Sequence, residues 1–204
     1  MLAERVKPVT HEEYLALEAK YDMKSEYENG VIVAMTGPDF SHVRIATNIL
    51  MAAQRLLKPG GCSALGSDMR ITTPDSKNYL YADCTIYCGD PQLKRIAGLD
   101  ALENPSVIFE VLSTTTEHRD RGAKWLAYQT IPSLQTYVLI SQQAASVEVF
   151  SRTSDNGWRY TAYLGIQATE PLGLHSVELP LAELYEGITF PELNPAEEDN
   201  HYKS

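Results

Sequence analysis

Two carboxylates and a lysine are the residues of this chain best placed to do chemistry. Asp83 lies in the strand-like run Tyr81-Ala82-Asp83-Cys84-Thr85-Ile86-Tyr87, and Glu110 in the run Val107-Ile108-Phe109-Glu110-Val111-Leu112. An acid inside such a strand is costly to bury unless it is paired or binds a metal. Strand parity puts Glu110 on one face with Ile108 and Leu112, where a lone Glu needs a partner. It puts Asp83 with Tyr81, Thr85 and Tyr87, opposite the apolar Ala82, Cys84, Ile86 and Cys88. Two carboxylates on neighbouring strands, completed by water and substrate phosphate, suit Mg2+ or Mn2+. Such a metal activates water and stabilises charge on a transferring phosphate. Lys124 follows on a helix that opens near Arg119, as a source of charge stabilisation or proton transfer. On spacing alone, Asp120 and Lys124 are an ordinary surface pair four residues apart. Tyr128 extends their stripe, and Ala123, Leu126 and Ala127 make the expected packing face.

These residues must be held by a scaffold. Thr10 followed by Glu13 reads as a capping box that starts a helix. Glu26 to Met35 reads as a hairpin around a type I′ Asn29-Gly30 turn. Val43, Ala46, Ile49, Leu50, Ala53, Leu56 and Leu57 recur at helical spacing over Ser41–Leu57, which Pro59-Gly60-Gly61 ends. Strands are expected at Cys62–Leu65, Met69–Thr72, Leu80–Tyr87, Ser106–Leu112, Leu134–Ile140, Ser146–Phe150 and Arg159–Leu164, with a closing segment at Val177–Leu184. A helix is expected over Arg119–Gln129 and a loop or short turn over Asp100–Asn104. The order predicts an α/β fold with a mixed central β-sheet flanked by helices and added hairpin strands. Residues 1–191 read as a single domain, and 192–204 as a polar, disordered tail.

The totals set bounds. The chain has 204 residues, 44% hydrophobic and 22% charged, a normal globular balance. It has no apolar run long enough to span a bilayer and no apolar signal region near Met1, so a cytoplasmic location is expected, with no membrane partner. The net charge of −10 argues against strong non-specific DNA binding. Lys94, Arg95, Arg119, Arg121 and Lys124 either form a local basic patch or are scattered solvated charges. Cys62, Cys84 and Cys88 do not read as a disulfide framework, and Cys84 and Cys88 read as core packing rather than zinc ligands.

Other candidates carry weaker signals. His42, at a helix start, reads as a packing or capping residue. Asp68 pairs with Arg70 or faces the site, and Ser113 to Thr116 cap the helix that follows. A hydrolase using His42 or His118 finds no Gly-x-Ser-x-Gly and no helical histidine pair to support it.

Together the motifs resemble a family. Glu26-Tyr27-x-x-Gly30, Ser41-His42, Ala82-Asp83, Phe109-Glu110-Val111-Leu112-Ser113 and Asp120-x-x-x-Lys124-x-x-x-Tyr128 look like the Uma2 family, common in cyanobacteria and assigned to the PD-(D/E)xK restriction-endonuclease-like superfamily. The resemblance spans roughly Val9 to Pro191. It implies a restriction-endonuclease-like fold with Asp83 and Glu110 as metal ligands for Mg2+ or Mn2+. Two positions depart from the pattern: Ala82 replaces the usual proline, and Leu112 the usual lysine. The resemblance therefore promotes Lys124 as the substitute lysine, and the long Lys stem makes that reach feasible. Glu26 matches the family's N-terminal acid, either as a further site carboxylate or as a partner for a nearby cation. The implied activity is endonucleolytic hydrolysis of nucleic acid, DNA foremost, by a possible homodimer. The alternative is a catalytically silent nuclease fold used for binding or assembly.

Overall fold

Local rules build the first elements as expected. A computed structural model describes residues 8–20, 24–35, 37–96, 98–171 and 178–191. Thr10 caps α1 (His11–Glu18): its hydroxyl accepts from the Glu13 amide at 3.2 Å, and Glu13 accepts from the Thr10 amide at 2.8 Å. β1 (Ser25–Glu28) and β2 (Val31–Ala34) pair across Asn29 (φ 45°) and Gly30 (φ 95°), the two positive angles a type I′ turn requires. A Cβ at Gly30 would come within 2.7 Å of the Pro8 side chain, a second reason for glycine there. Asp39 caps α2 (Phe40–Leu57), whose stripe of Ile45, Ile49, Ala52, Ala53 and Leu57 is buried.

The remaining strands form two mixed sheets. They are β3 (Cys62–Gly66), β4 (Arg70–Thr72), β5 (Asn78–Tyr81), β6 (Cys84–Cys88), β7 (Leu93–Ile96), β8 (Leu99–Leu102), β9 (Val107–Leu112), β10 (Thr136–Ser141), β11 (Ser146–Arg152) and β12 (Trp158–Leu164). Between β9 and β10, α3 (Glu117–Arg119) runs through a π-helical stretch (Asp120–Lys124) into α4 (Trp125–Tyr128). A short pair, β13 (Thr169–Pro171) and β14 (Glu178–Pro180), precedes α5 (Leu181–Leu184). One six-stranded sheet has the order β2-β1-β5-β4-β8-β7, the other β12-β11-β10-β9-β6-β3. Each contains one parallel pair, β4 with β8 and β9 with β10.

Three apolar clusters hold these layers. α2 and α5 cover one face of the second sheet, burying Ile49, Val107, Phe109, Val138 and Leu184. The other face meets the first sheet and α4: Ile108, Leu112, Tyr137 and Leu139 pack with Ile71, Leu80, Ala127 and Tyr128. The outer face of the first sheet carries stacked Tyr14 and Tyr27 with Tyr79. Among the described residues no helix is long and apolar enough to cross a membrane.

The mixed α/β fold agrees with the sequence reading; several local readings need correction. Two sheets replace the one central sheet. The run from Leu80 to Tyr87 is not one strand: β5 ends at Tyr81 in the first sheet and β6 starts at Cys84 in the second. Ala82 and Asp83 are the crossover. Asp100–Asn104 is no loop at its start, since Leu99–Leu102 is a strand paired with Leu93–Ile96. Cys62 and Cys88 sit directly opposite in the β3–β6 ladder and form a disulfide, while Cys84 is buried and free. The expected tail at 192–204 lies outside the described residues.

Candidate active site

The crossover between the sheets organises the site. Where the chain leaves the first sheet, Tyr81 presents backbone groups that would otherwise be buried unpaired. Its N–H donates to Glu26 Oε1 at 3.0 Å, and its carbonyl accepts from Lys124 Nζ at 3.0 Å. β6 and β9 pair with Cys84 opposite Phe109 and Thr85 opposite Ile108. One further step of that register sets Asp83 opposite Glu110. Asp83 lies in a bend, and its carboxylate takes over the ladder: Oδ2 accepts from the Val111 N–H at 2.7 Å.

Lys124 is the hub. Its Nζ lies 2.6 Å from Glu110 Oε1, 3.4 Å from Glu26 Oε1 and 3.4 Å from Asp120 Oδ1. Its side chain is 6% exposed, and those of Glu110, Glu26 and Asp120 are 4%, 3% and 3%. Tyr128 donates its hydroxyl to the same Glu110 oxygen at 3.1 Å, and the Tyr137 hydroxyl donates to the Asp120 carbonyl at 2.9 Å. The π-helical stretch makes this possible. A single π turn re-phases the helix, a device frequent at functional sites. It turns Asp120, Lys124 and Tyr128 inward and leaves Leu126 63% exposed. The surface-pair reading of Asp120 and Lys124 is therefore wrong, and so is the packing face of Ala123 and Leu126; only Ala127 of that set is buried.

The rim is more open. Asp83 Oδ1 lies 2.8 Å from His42 Nε2, with these side chains 17% and 13% exposed. Arg119 Nη2 meets Glu26 Oε2 at 2.6 Å and also bonds Glu28 Oε1. Glu26 thus stands between two cations, Oε1 toward Lys124 and Oε2 toward Arg119.

More negative charge is packed here than one ammonium balances. Burial, with the Asp120 and Asp83 charges and against the pull of Lys124, pushes the Glu110 carboxyl well above its ordinary range. Burial also raises Asp120, which Lys124 opposes and Asp83 reinforces. Glu26 goes the other way: burial works against its charge, but Lys124, the Tyr81 amide and Arg119 outweigh it. Burial likewise works against the Lys124 ammonium, yet Glu110, Glu26 and Asp120 raise its pKa well above normal, so the cation persists. His42 is raised too: burial disfavours the imidazolium, and the Asp83 hydrogen bond and charge prevail.

The structure therefore brings together Asp83, Glu110, Lys124 and Glu26. It adds His42, Asp120, Tyr128, Arg119 and Glu28, whose site signals in the sequence are weaker or absent. His42 is not the cap of α2, a role Asp39 takes by accepting from the His42 amide; its imidazole instead faces Asp83. Asp68 stays apart, paired at the surface with Lys24, while Arg70 forms a buried ion pair with Glu18 at 2.7 Å. Ser113 Oγ accepts from the Thr116 amide at 3.2 Å, a turn leading into α3. Four of the five residues of the suspected basic patch pair with acids: Arg121 with Glu117 and Glu148, Arg95 with Asp100, and Arg119 and Lys124 with the site acids, while Lys94 bonds the Ser76 hydroxyl. No helical or strand repeat flags Glu28, and Arg119 stands out in the sequence only as one of several basic residues; their pairing across β1 and α3 brings both to the site.

The donor set bears on the expected metal. Among the described residues no group of three or more His, Cys, Asp or Glu is arranged to hold an ion by itself. Lys124 occupies the centre of Glu26, Glu110 and Asp120, where a cation would otherwise sit. What is left is the pair Asp83 and Glu110, hard oxygen donors with excess negative charge behind them and with both Lys124 and Tyr128 on the same Glu110 oxygen. That set fits Mg2+ or Mn2+ completed by water and phosphate better than zinc.

Comparison with known proteins agrees with the fold. A family model described as "Uma2: Putative restriction endonuclease" matches residues 11–182. Two uncharacterized proteins of Synechocystis sp. are each 32% identical. One alignment covers 88% of this chain and 92% of its relative, the other 82% and 94%. A crystal structure described as a putative nuclease belonging to DUF820, from Anabaena variabilis, superposes with a TM-score of 0.71 at 18% identity. It covers 89% of this chain and 100% of its own.

Proposed function

Because this chain belongs to the Uma2 family, we propose that it is a divalent-metal-dependent nuclease that hydrolyses phosphodiester bonds of nucleic acid, with DNA as the substrate. The observation that carries this reading is Asp83 set opposite Glu110 at the sheet crossover, with Lys124 Nζ 2.6 Å behind Glu110. Asp83 and Glu110 would hold Mg2+ or Mn2+, which when bound supplies an activated water and charge stabilisation at phosphate. Lys124 opposes the burial that raises the Glu110 carboxyl and adds positive charge beside the reacting phosphate. Tyr128 and Lys124 together hold the Glu110 carboxylate in one orientation. His42 and the Val111 amide do the same for Asp83. The acids and aromatic rings around Lys124 exclude bulk water, which strengthens each of these interactions. The family resemblance extends the proposal to a homodimer cutting both strands in the cytoplasm.

The test is cleavage of supercoiled plasmid with Mg2+ or Mn2+, wild type against Asp83→Ala. The proposal expects metal-dependent nicking or linearisation that Asp83→Ala loses. Folded wild type that cuts neither DNA nor RNA with either ion would sink it. One observation favours a second reading, a silent nuclease fold serving binding or assembly: the Lys124 ammonium is already engaged by three carboxylates and a carbonyl.

A further inference from the structure

The site holds a second cation that the hydrolytic chemistry leaves unused. Arg119 is 25% exposed, four times more than Lys124 at 6%, so it belongs to the rim rather than the floor. A guanidinium offers a rigid fork of N–H donors that matches a phosphate. Here the fork is only half employed. Nη2 alone carries the contacts to Glu26 and Glu28, while the Nε–H is buried with no hydrogen-bond partner among the described residues. An unpartnered buried donor on a charged group is expensive and calls for a reason. The two acids also differ. Glu26 is 3% exposed and fixed by Lys124 and the Tyr81 amide, whereas Glu28 is 18% exposed and pairs with Arg119.

We propose that Arg119 is a backbone-phosphate subsite, and that Glu28 is a built-in substitute anion occupying it until a nucleic-acid phosphodiester displaces it. Glu26 stays on Nη2 and holds the fork in place, and the incoming phosphate takes up the Nε–H. The exchange replaces one anion by another on the same cation, so it costs little Coulomb energy. It also accounts for how a chain of net charge −10 meets a polyanion selectively: the subsite is screened toward weakly bound anions and opens only to one that arrives with further contacts. The inference rests on the nuclease reading for its ligand class, but it concerns binding rather than hydrolysis.

The test is binding of a short fluorescent duplex by the full chain in EDTA, measured by anisotropy over a salt series, so that cleavage plays no part. Glu28→Gln tightens binding about three- to tenfold and steepens the dependence of log K on log salt by ~0.9, one phosphate contact. Glu117→Gln removes an equal charge from an exposed partner of Arg121 and changes affinity less than twofold. Adding Arg119→Gln to Glu28→Gln abolishes the gain; should that pair fail to fold, Arg119→Lys, which keeps the charge and loses the fork, recovers at most part of it. Equal gains from Glu28→Gln and Glu117→Gln, or a gain that survives Arg119→Gln, overturn the proposal. A Glu28→Gln gain in a protein that never cleaves keeps the subsite and discards the nuclease. Cleavage with a silent Glu28→Gln does the reverse.

Discussion

Replacing Lys124 by methionine tests whether the buried acids need their central cation. Methionine nearly fills the volume of the lysine stem, so packing against the Tyr128 ring survives, while the charge and the hydrogen bond to the Tyr81 carbonyl are lost. Glu26, Glu110 and Asp120 then lie 3–4% exposed with no ammonium at 2.6–3.4 Å. Breaking a buried ion pair by deleting one partner costs about 3–5 kcal/mol, because the remaining charge is uncompensated. For a chain of this size each kcal/mol moves the melting point about 2–4 °C, so the expected fall at pH 8 is roughly 6–20 °C. The loss also depends on pH. Glu110 and Asp120 already bind protons more tightly folded than unfolded, and without Lys124 they do so more strongly. Wherever the native state binds more protons than the unfolded one, stability falls as pH rises. The deficit of Lys124→Met should therefore be largest at pH 8 and shrink as the pH drops toward 5. Circular-dichroism melts in EDTA at pH 5.5 and 8 read both effects. A variant melting within 2 °C of wild type at pH 8, or one whose deficit is the same at both pH values, refutes the view that Lys124 neutralises a buried carboxylate cluster.

Three smaller perturbations probe the surroundings. Tyr128→Phe removes a hydroxyl that is 3.1 Å from Glu110 Oε1 and fully buried, and should cost about 1–3 kcal/mol in denaturant unfolding, the range for leaving a buried polar group without its partner; a loss under about 0.5 kcal/mol would mean that bond is not made. Arg121→Ala removes ion pairs to Glu117 and Glu148 at a side chain 37% exposed, and should cost under about 1 kcal/mol in the same assay. Reducing the Cys62–Cys88 disulfide, which closes a span of 26 residues, should cost about 2–4 kcal/mol by loop entropy, and Cys62→Ser should match the reduced wild type.

What the sequence revealed follows from how local each signal is. The Thr10 box and the Asn29-Gly30 turn depend on neighbours within one turn of chain and appear as read; the α2 helix is also there, but its buried stripe keeps Ile49, Ala53 and Leu57, adds Ile45 and Ala52, and leaves Val43 47% exposed. Glu110 was conspicuous for a similar reason, an acid in an otherwise apolar strand. The crossover at Ala82–Asp83 was not legible, because β-propensity reports extended backbone and not which sheet a strand joins. β7 and β8 carry no clear strand signal because Lys94, Arg95 and Asp100 interrupt them, as charges do at a sheet edge, which β7 forms. The Cys62–Cys88 contact depends on a ladder register between distant segments. Lys124 needed more than spacing: a regular helix would leave its face ambiguous, and the π stretch that buries it beside Asp120 leaves no simple period in the sequence.

The central claim is that Asp83 and Glu110 share a divalent cation in front of Lys124. Mn2+ calorimetry on the full-length wild type and on Glu110→Gln addresses it without requiring turnover. The account predicts saturable binding by the wild type at one site, weakened at least about tenfold in Glu110→Gln, with both proteins folded by circular dichroism. Wild type that takes up no Mn2+, or binding of equal strength in Glu110→Gln, would contradict it.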